Sequence, residues 1–213
     1  MRQEARPANG RYATANWSAG DVVRDWHDLA LPREMPAGSY ELVVTLNDGA
    51  ERLGQASLGA VQVSGRPHEF TPPVVEHEEA ARLGDSFGFL GYDLADTRIQ
   101  AGSPISLTLH WQSVAPVDAS YTVFVHLLGP DGQVWAQQDN APGQGMLPTT
   151  GWVPGEYITD PFRLDIESQT PAGEYHLEIG MYDPSTGLRL PVTDSDGKPA
   201  GDRILLGQPI TIY

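Results

Sequence analysis

Residues 173–183 read GEYHLEIGMYD, and their alternation decides the fold. Tyr175, Leu177, Ile179 and Met181 fall on one side of an extended chain, with His176, Glu178 and Tyr182 on the other. A period of two over that length marks a strand with one face in a core. The stretch starts from Pro171-Ala172-Gly173 and ends in Asp183-Pro184-Ser185-Thr186-Gly187, turn chemistry on both sides. Residues 104–112, PISLTLHWQ, repeat the pattern: Ile105, Leu107, Leu109 and Trp111 alternate with Ser106, Thr108 and His110. Residues 121–128, YTVFVHLL, are apolar on both faces, as in a central strand. Gly129-Pro130-Asp131-Gly132 then turns the chain into a strand near 133–139. Further strands are expected near 22–31, 57–63, 87–94, 156–166, 188–192 and 204–212. The one helical candidate is 76–82, EHEEAAR. Seven or so short strands per complete unit predict an all-β chain with an immunoglobulin-like antiparallel β-sandwich, Trp111 being its core tryptophan.

The strand at 173–183 has a counterpart 135 residues earlier, GSYELVVTLND at 38–48. Residues 3–48 align without gaps on 138–183, identical at 14 of 46 positions from Gln3/Gln138 to Asp48/Asp183. Average residue usage would give roughly 3 matches. The identities concentrate in residues that set backbone geometry, among them Trp17/Trp152, Gly20/Gly155, Pro36/Pro171 and Tyr40/Tyr175. The second copy owns a front half, 83–137, that the first lacks. The expected organisation is therefore a partial β-repeat at 1–63, the back half of a unit. A Pro- and charge-rich linker follows at 64–82, SGRPHEFTPPVVEHEEAAR, and then a complete sandwich at 83–213. A half sandwich leaves an apolar face in water. Residues 1–63 are expected to belong to a longer tandem array or to find a partner, a second copy of the chain included.

Composition removes several function classes. Thirteen basic and 28 acidic residues give a net charge of −15, which repels phosphate backbones, so nucleic acid is not an expected partner. Cysteine is absent, which excludes disulfide frameworks, iron–sulfur clusters, thiolate zinc sites and cysteine nucleophiles. No run reaches the ~18 apolar residues of a membrane helix, and the first residues lack the apolar core of a signal peptide. Direct membrane insertion of this chain is not expected.

The strings YTVFVHLLGPDGQVWAQQDNAP, PTTGWVPGEYITD, PAGEYHLEIGMYDPSTGLRLPV and LLGQPITI resemble a bacterial β-sandwich module. That module forms the extracytoplasmic C-terminal part of membrane glycosyltransferase-like proteins of the protein-mannosyltransferase type. The resemblance covers nearly all of 86–213 and, weakly, 3–63, where NDGAERLG replaces the fuller hairpin after Asp48. It implies a non-catalytic module of the bacterial cell envelope or a secreted protein. It does not imply glycosyl transfer, and it assigns no binding residues.

Gly84-Asp85-Ser86-Phe87-Gly88 matches the G-x-S-x-G nucleophile pattern but precedes a strand, so it reads as a tight turn. His77-Glu78-Glu79-Ala80-Ala81 lacks the second histidine of a zinc motif. Asp194, Asp196 and Asp202 form a candidate calcium loop, although Lys198 intrudes and a polar hairpin is the plainer reading. No other cofactor is expected. Asp139, Glu156 and Asp160 have acidic mates in the first copy, which favours structural turn-capping. His110, His126 and His176 would make a metal site only if their strands were neighbours on one face. Carbohydrate is the candidate ligand, because sugars present apolar C–H faces to aromatic rings and hydroxyls to polar side chains. The candidate residues are Trp26, Trp135, Tyr157 and Tyr182, with Gln133 and Gln137 flanking Trp135 on its strand. The expectation is a non-enzymatic module with carbohydrate as its candidate ligand; the alternative is a structural or assembly repeat of a cell-surface protein.

Overall fold

The computed structural model describes residues 4–29 and 31–213, the side chains of residues 8 and 9 excepted; Gln3 of the repeat lies outside them. The chain forms two units, Met1–Gly65 and Arg66–Tyr213. In the first, β1 (Gly38–Asp48) and β2 (Glu51–Val63) make an antiparallel hairpin. The second holds β3 (His77–Leu83), β4 (Phe87–Leu94), β5 (Arg98–Ile99), β6 (Ile105–Ser113), β7 (Thr122–Leu128) and β8 (Val134–Asn140). It continues with β9 (Tyr157–Leu164), β10 (Gly173–Tyr182), β11 (Val192–Asp194), β12 (Ile204–Leu205) and β13 (Ile210–Ile212). One sheet runs β5-β13-β10-β7-β8, with β12 also on β10; the other runs β11-β3-β4-β6-β9. Among the described residues only β13 and β5 pair in parallel.

The alternation that defines the strands also joins the two layers. Tyr175, Leu177, Ile179 and Met181 of β10 are at most 2% exposed, as are Ile105, Leu107, Leu109 and Trp111 of β6. Each such side chain contributes about 1.5–3 kcal/mol over leaving it in water. Trp111 sits fully in this core, its ring centroid 5.0 Å from that of Phe89. The chain is thus an all-β protein built on an immunoglobulin-like sandwich.

Three expectations fail locally. The helix at 76–82 is strand β3. Glu and Ala favour helix in isolation, but β4 and β11 flank this segment and supply backbone partners on both sides, and that pairing overrides propensity. Residues 64–82 are therefore not a free linker. Besides β3, Arg66 and His68 engage buried Glu156, and the Tyr157 N–H donates to the Glu69 carbonyl at 2.8 Å. The strand expected over 22–31 does not form among its described residues; Ala30 lies outside them. Its mate in the second copy, β9, is paired along β6, and the first copy has no counterpart of β6 to satisfy its backbone.

What the first copy does keep is local geometry. Tyr40 Oη donates to the Pro36 carbonyl at 2.9 Å, and Tyr175 Oη to the Pro171 carbonyl at 2.9 Å. Residues 14–16 and 149–151 are both 3-10 turns, closed by Trp17 N–H to Thr14 O and Trp152 N–H to Thr149 O, each 3.1 Å. Asp21 accepts the Ser18 N–H at 2.8 Å, as Glu156 accepts the Val153 N–H at 3.0 Å. Of the acidic mates, the pair Asp21 and Glu156 caps the same turn in both copies.

Candidate functional site

The strand carrying Trp135 does not alternate as its sequence suggests. Leu127 pairs with Ala136, but Leu128 pairs with Val134, so Trp135 is an extra residue in a β-bulge. The bulge takes Trp135 off the face of Gln137 and packs it, with Ala136, against the core. Its ring stands perpendicular to Tyr175, centroids 6.3 Å apart, while Gln133 and Gln137 stay exposed. This corner forms one side of an open hollow of about 270 Å³, completed by Pro130, Asp131, Pro171, Ala172 and Gly173. That is just below the usual small-ligand range of about 300–1,000 Å³, a size that suits one ring rather than a chain. Asp131 Oδ1 accepts the Gln133 N–H at 3.0 Å, fixing the carboxylate at the rim. Burial, then the Asp131 charge, push the Tyr175 hydroxyl above its ordinary pKa, and that hydroxyl is spent on Pro171. The hollow therefore offers one half-buried aromatic ring, Trp135, braced by the buried Tyr175, with two prolines and one carboxylate.

A second polar group lies on the outer face of β7, β8 and β10. Glu178, 3% exposed, receives His126 Nδ1 at 2.9 Å, and His126 Nε2 stands 3.3 Å from Asp139. Arg203 lies 3.2 Å from the other Glu178 oxygen, an ion pair without hydrogen-bond alignment. Arg189 covers the Phe124 ring at 4.1 Å. Tyr182 borders the group; burial first, then the charge of Asp139 and the bond to it, raise its pKa, so the phenol remains a neutral donor. These charges largely satisfy one another, the pattern of an internal ionic network that fixes geometry more than it adds stability. Phe124 fits only because its neighbour is glycine: a Cβ on Gly180 would lie 2.4 Å from the ring. Gly180→Ala is expected to displace Phe124 and to destabilise the sandwich by about 1–2 kcal/mol, read by urea unfolding.

The other expected residues lie apart. Trp26 is 78% exposed, in the first unit and outside any strand. Tyr157 accepts Gln112 Nε2 at 3.2 Å and lines a groove of about 430 Å³ with Arg66, Pro67, Pro72, Pro73 and Leu147. The six candidate sugar contacts are thus not one site: Trp135 is in the hollow, Tyr182 and Gln137 are on the outer face, and Gln133 is in the turn before β8. The candidate calcium ligands are not brought together either. Asp194 Oδ1 accepts the N–H groups of Asp196 and Lys198, both at 2.9 Å, and Asp202 faces Arg189 at 3.9 Å. Among the described residues no three His, Asp or Glu side chains are grouped to hold a metal. His110 pairs with Asp93 at 2.8 Å in the sheet opposite His126 and His176. Residues 84–88 form the β3–β4 turn and the start of β4. Tyr175 and Asp131 were missed as partners of Trp135. The Gly-Pro-Asp-Gly turn just before it was the available signal.

No protein-family model matches the chain, and no curated protein matches it. Among solved structures it is similar to the C-terminal domain of wzt, at 13% identity and a TM-score of 0.42, over 67% of this chain and 82% of that one. It is also similar to the CARDB domain of a Pyrococcus furiosus protein in complex with di-metal ions, at 9% identity and a TM-score of 0.35, over 70% of this chain and 99% of that one. Both likenesses are partial, and the β-sandwich assignment rests on the strand order above.

Proposed function

We propose that this chain is a non-catalytic, extracytoplasmic β-sandwich module that binds carbohydrate in the Trp135 hollow. One observation carries the reading: an indole and a phenol ring meet at a right angle beside a rim carboxylate, Asp131, in an open hollow. An indole face takes the apolar face of a sugar ring, and a carboxylate accepts from two vicinal hydroxyls. Placement in the bacterial cell envelope or in a secreted protein is supported by the module-like strings within residues 121–213. The binding proposed here uses stacking and hydrogen bonds and needs no calcium, so chelation is expected to leave it unchanged; calcium dependence would bring the Asp194–Asp202 loop into the account. The test is a glycan array and polysaccharide pull-down with the wild type, Trp135→Ala and Trp26→Ala. Selective binding, lost at least about tenfold in Trp135→Ala and kept in Trp26→Ala, is the expected result. Silence on every glycan, or loss only in Trp26→Ala, defeats the reading.

The second reading, a structural or assembly repeat, is favoured by a different observation: the hairpin β1–β2 carries exposed apolar side chains, with Val44 at 49% and Leu46 at 44%.

A further inference from the structure

The hairpin of the first unit has one apolar and one polar face. Cross-strand pairing places Tyr40 beside Val61, Leu42 beside Gly59, Val44 beside Ala56 and Leu46 beside Gly54. From Tyr40 to Leu46 no charged residue interrupts that face; Asp48 and Glu51, paired beside the turn, close its end. The opposite face alternates with it and carries Glu41, Thr45, Gln55 and Arg52, with Val43 as its one large apolar side chain. The repeat shows what such a face requires. The counterparts of Tyr40, Leu42, Val44 and Leu46 are Tyr175, Leu177, Ile179 and Met181, all at most 2% exposed beneath a second sheet. A two-stranded hairpin is marginal in water without such a layer.

We infer that this face is the interface of a homodimer, in which the β1–β2 hairpin of one chain packs face to face on that of a second copy. The inference rests on the assembly reading and is independent of the sugar reading. Its ground is self-complementarity, which a two-fold interface demands. β1 presents large side chains on this face, whereas β2 presents Gly54, Ala56 and Gly59 opposite three of them. A two-fold axis sets the large column of each hairpin on the small column of its partner. Two such hairpins make a four-stranded, two-layer sandwich at the ordinary sheet spacing of about 10 Å. A face of two strands is small beside the roughly 1,600 Å² of a standard specific interface. The dimer is therefore weak and concentration-dependent. Each chain carries a net charge of −15, so charge opposes association and salt strengthens it.

Sedimentation velocity on the full chain tests this, over a wide range of protein concentration and at low and about 0.5 M salt. A monomer–dimer equilibrium that shifts toward dimer with salt is expected. Val44→Asp with Leu46→Asp should abolish the dimer, and Glu41→Lys with Thr45→Lys on the polar face should keep it. Because the aspartate variant alters only the hairpin, near-UV circular dichroism of the sandwich should be unchanged, which separates loss of the interface from general misfolding. A monomer at every concentration and salt overturns the inference. So does a dimer that survives Val44→Asp with Leu46→Asp, or one broken by the polar-face pair. Glycan binding by a strictly monomeric chain would defeat this inference and leave the sugar reading intact.

Discussion

Glu156→Ala is expected to lower the unfolding free energy of the sandwich by about 3–4 kcal/mol, the scale for breaking a buried ion pair from one side. Glu156 is fully buried. One oxygen accepts from the Arg66 guanidinium; the other accepts the Val153 N–H at 3.0 Å and stands 3.0 Å from His68 Nδ1. Removal leaves the Arg66 charge with two carbonyls, Gly151 at 3.2 Å and Pro67 at 3.3 Å, and no counter-charge, and strips the turn before β9 of its cap. The segment from Arg66 to Glu69 should then detach from the β9 edge. Asp21→Ala, at the matching position of the first copy, removes the Ser18 N–H bond and a longer one from the Tyr12 hydroxyl, both on an exposed side chain, and should cost no more than about 1 kcal/mol. Urea unfolding of both variants checks the contrast; equal losses would mean that the ion pair adds nothing to the cap.

The same residue predicts an acid limb. Burial pushes the Glu156 pKa up, but the Arg66 and His68 contacts, the Val153 N–H and the Arg66 charge outweigh it and hold the pKa below the ordinary 4.5. A depressed folded pKa means that the unfolded chain takes up the proton first. The contribution is complete above the unfolded value and fades as pH falls through the folded one. Glu156→Gln should lose that part of the acid dependence.

Periodicity made the sandwich readable because its evidence is local. In β6 and β10 the side chains that alternate along the sequence are the ones that reach the core, and Trp111 followed from its phase alone. β3 was not readable in this way. His77-Glu78-Glu79-Ala80-Ala81 carries helix-forming residues, and only flanking strands that are distant in sequence make it β. The docking of Arg66 on Glu156 spans 90 residues, and no window on the sequence contains both. Trp135 fails for a third reason. One bulge residue shifts the phase of everything after it, so the side chain read as facing Gln137 turns to Tyr175. The repeat was visible at sequence level because turn geometry needs particular residues. The absence of β6 from the first copy, which leaves 22–29 without a strand, follows from the same alignment.

Asp160→Asn is expected to stabilise the protein by up to about 3 kcal/mol at neutral pH, opposite in sign to the loss at Glu156 four residues earlier. Asp160 points into the sandwich from β9, 1% exposed. Its Oδ1 accepts the Gly143 N–H at 2.8 Å, but its Oδ2 has no partner in regular geometry, the Trp111 indole N–H being poorly aligned with it. Among the described residues no cation offsets the buried charge. Burial therefore dominates, over the lowering effects of Gly143 and Trp111, and raises the pKa from 3.8 to about 6. The folded chain then binds the proton more tightly than the unfolded one. Stability due to this group is greatest below about pH 4, declines as pH rises to about 6, and stays reduced above that. The rise from 3.8 to about 6, at about 1.4 kcal/mol for each tenfold change in proton affinity, sets the size of the effect. Asparagine keeps the acceptor for Gly143 and removes the charge, so its advantage should be near zero at about pH 4 and full at about pH 7.5. Chemical denaturation at the two pH values reads it directly. A variant less stable than wild type at neutral pH would mean that Asp160 finds a partner in the folded protein and is held as a charge. The two carboxylates would then differ only in degree. As the structure stands they differ in kind: Glu156 is buried with its cations, and Asp160 is buried without one.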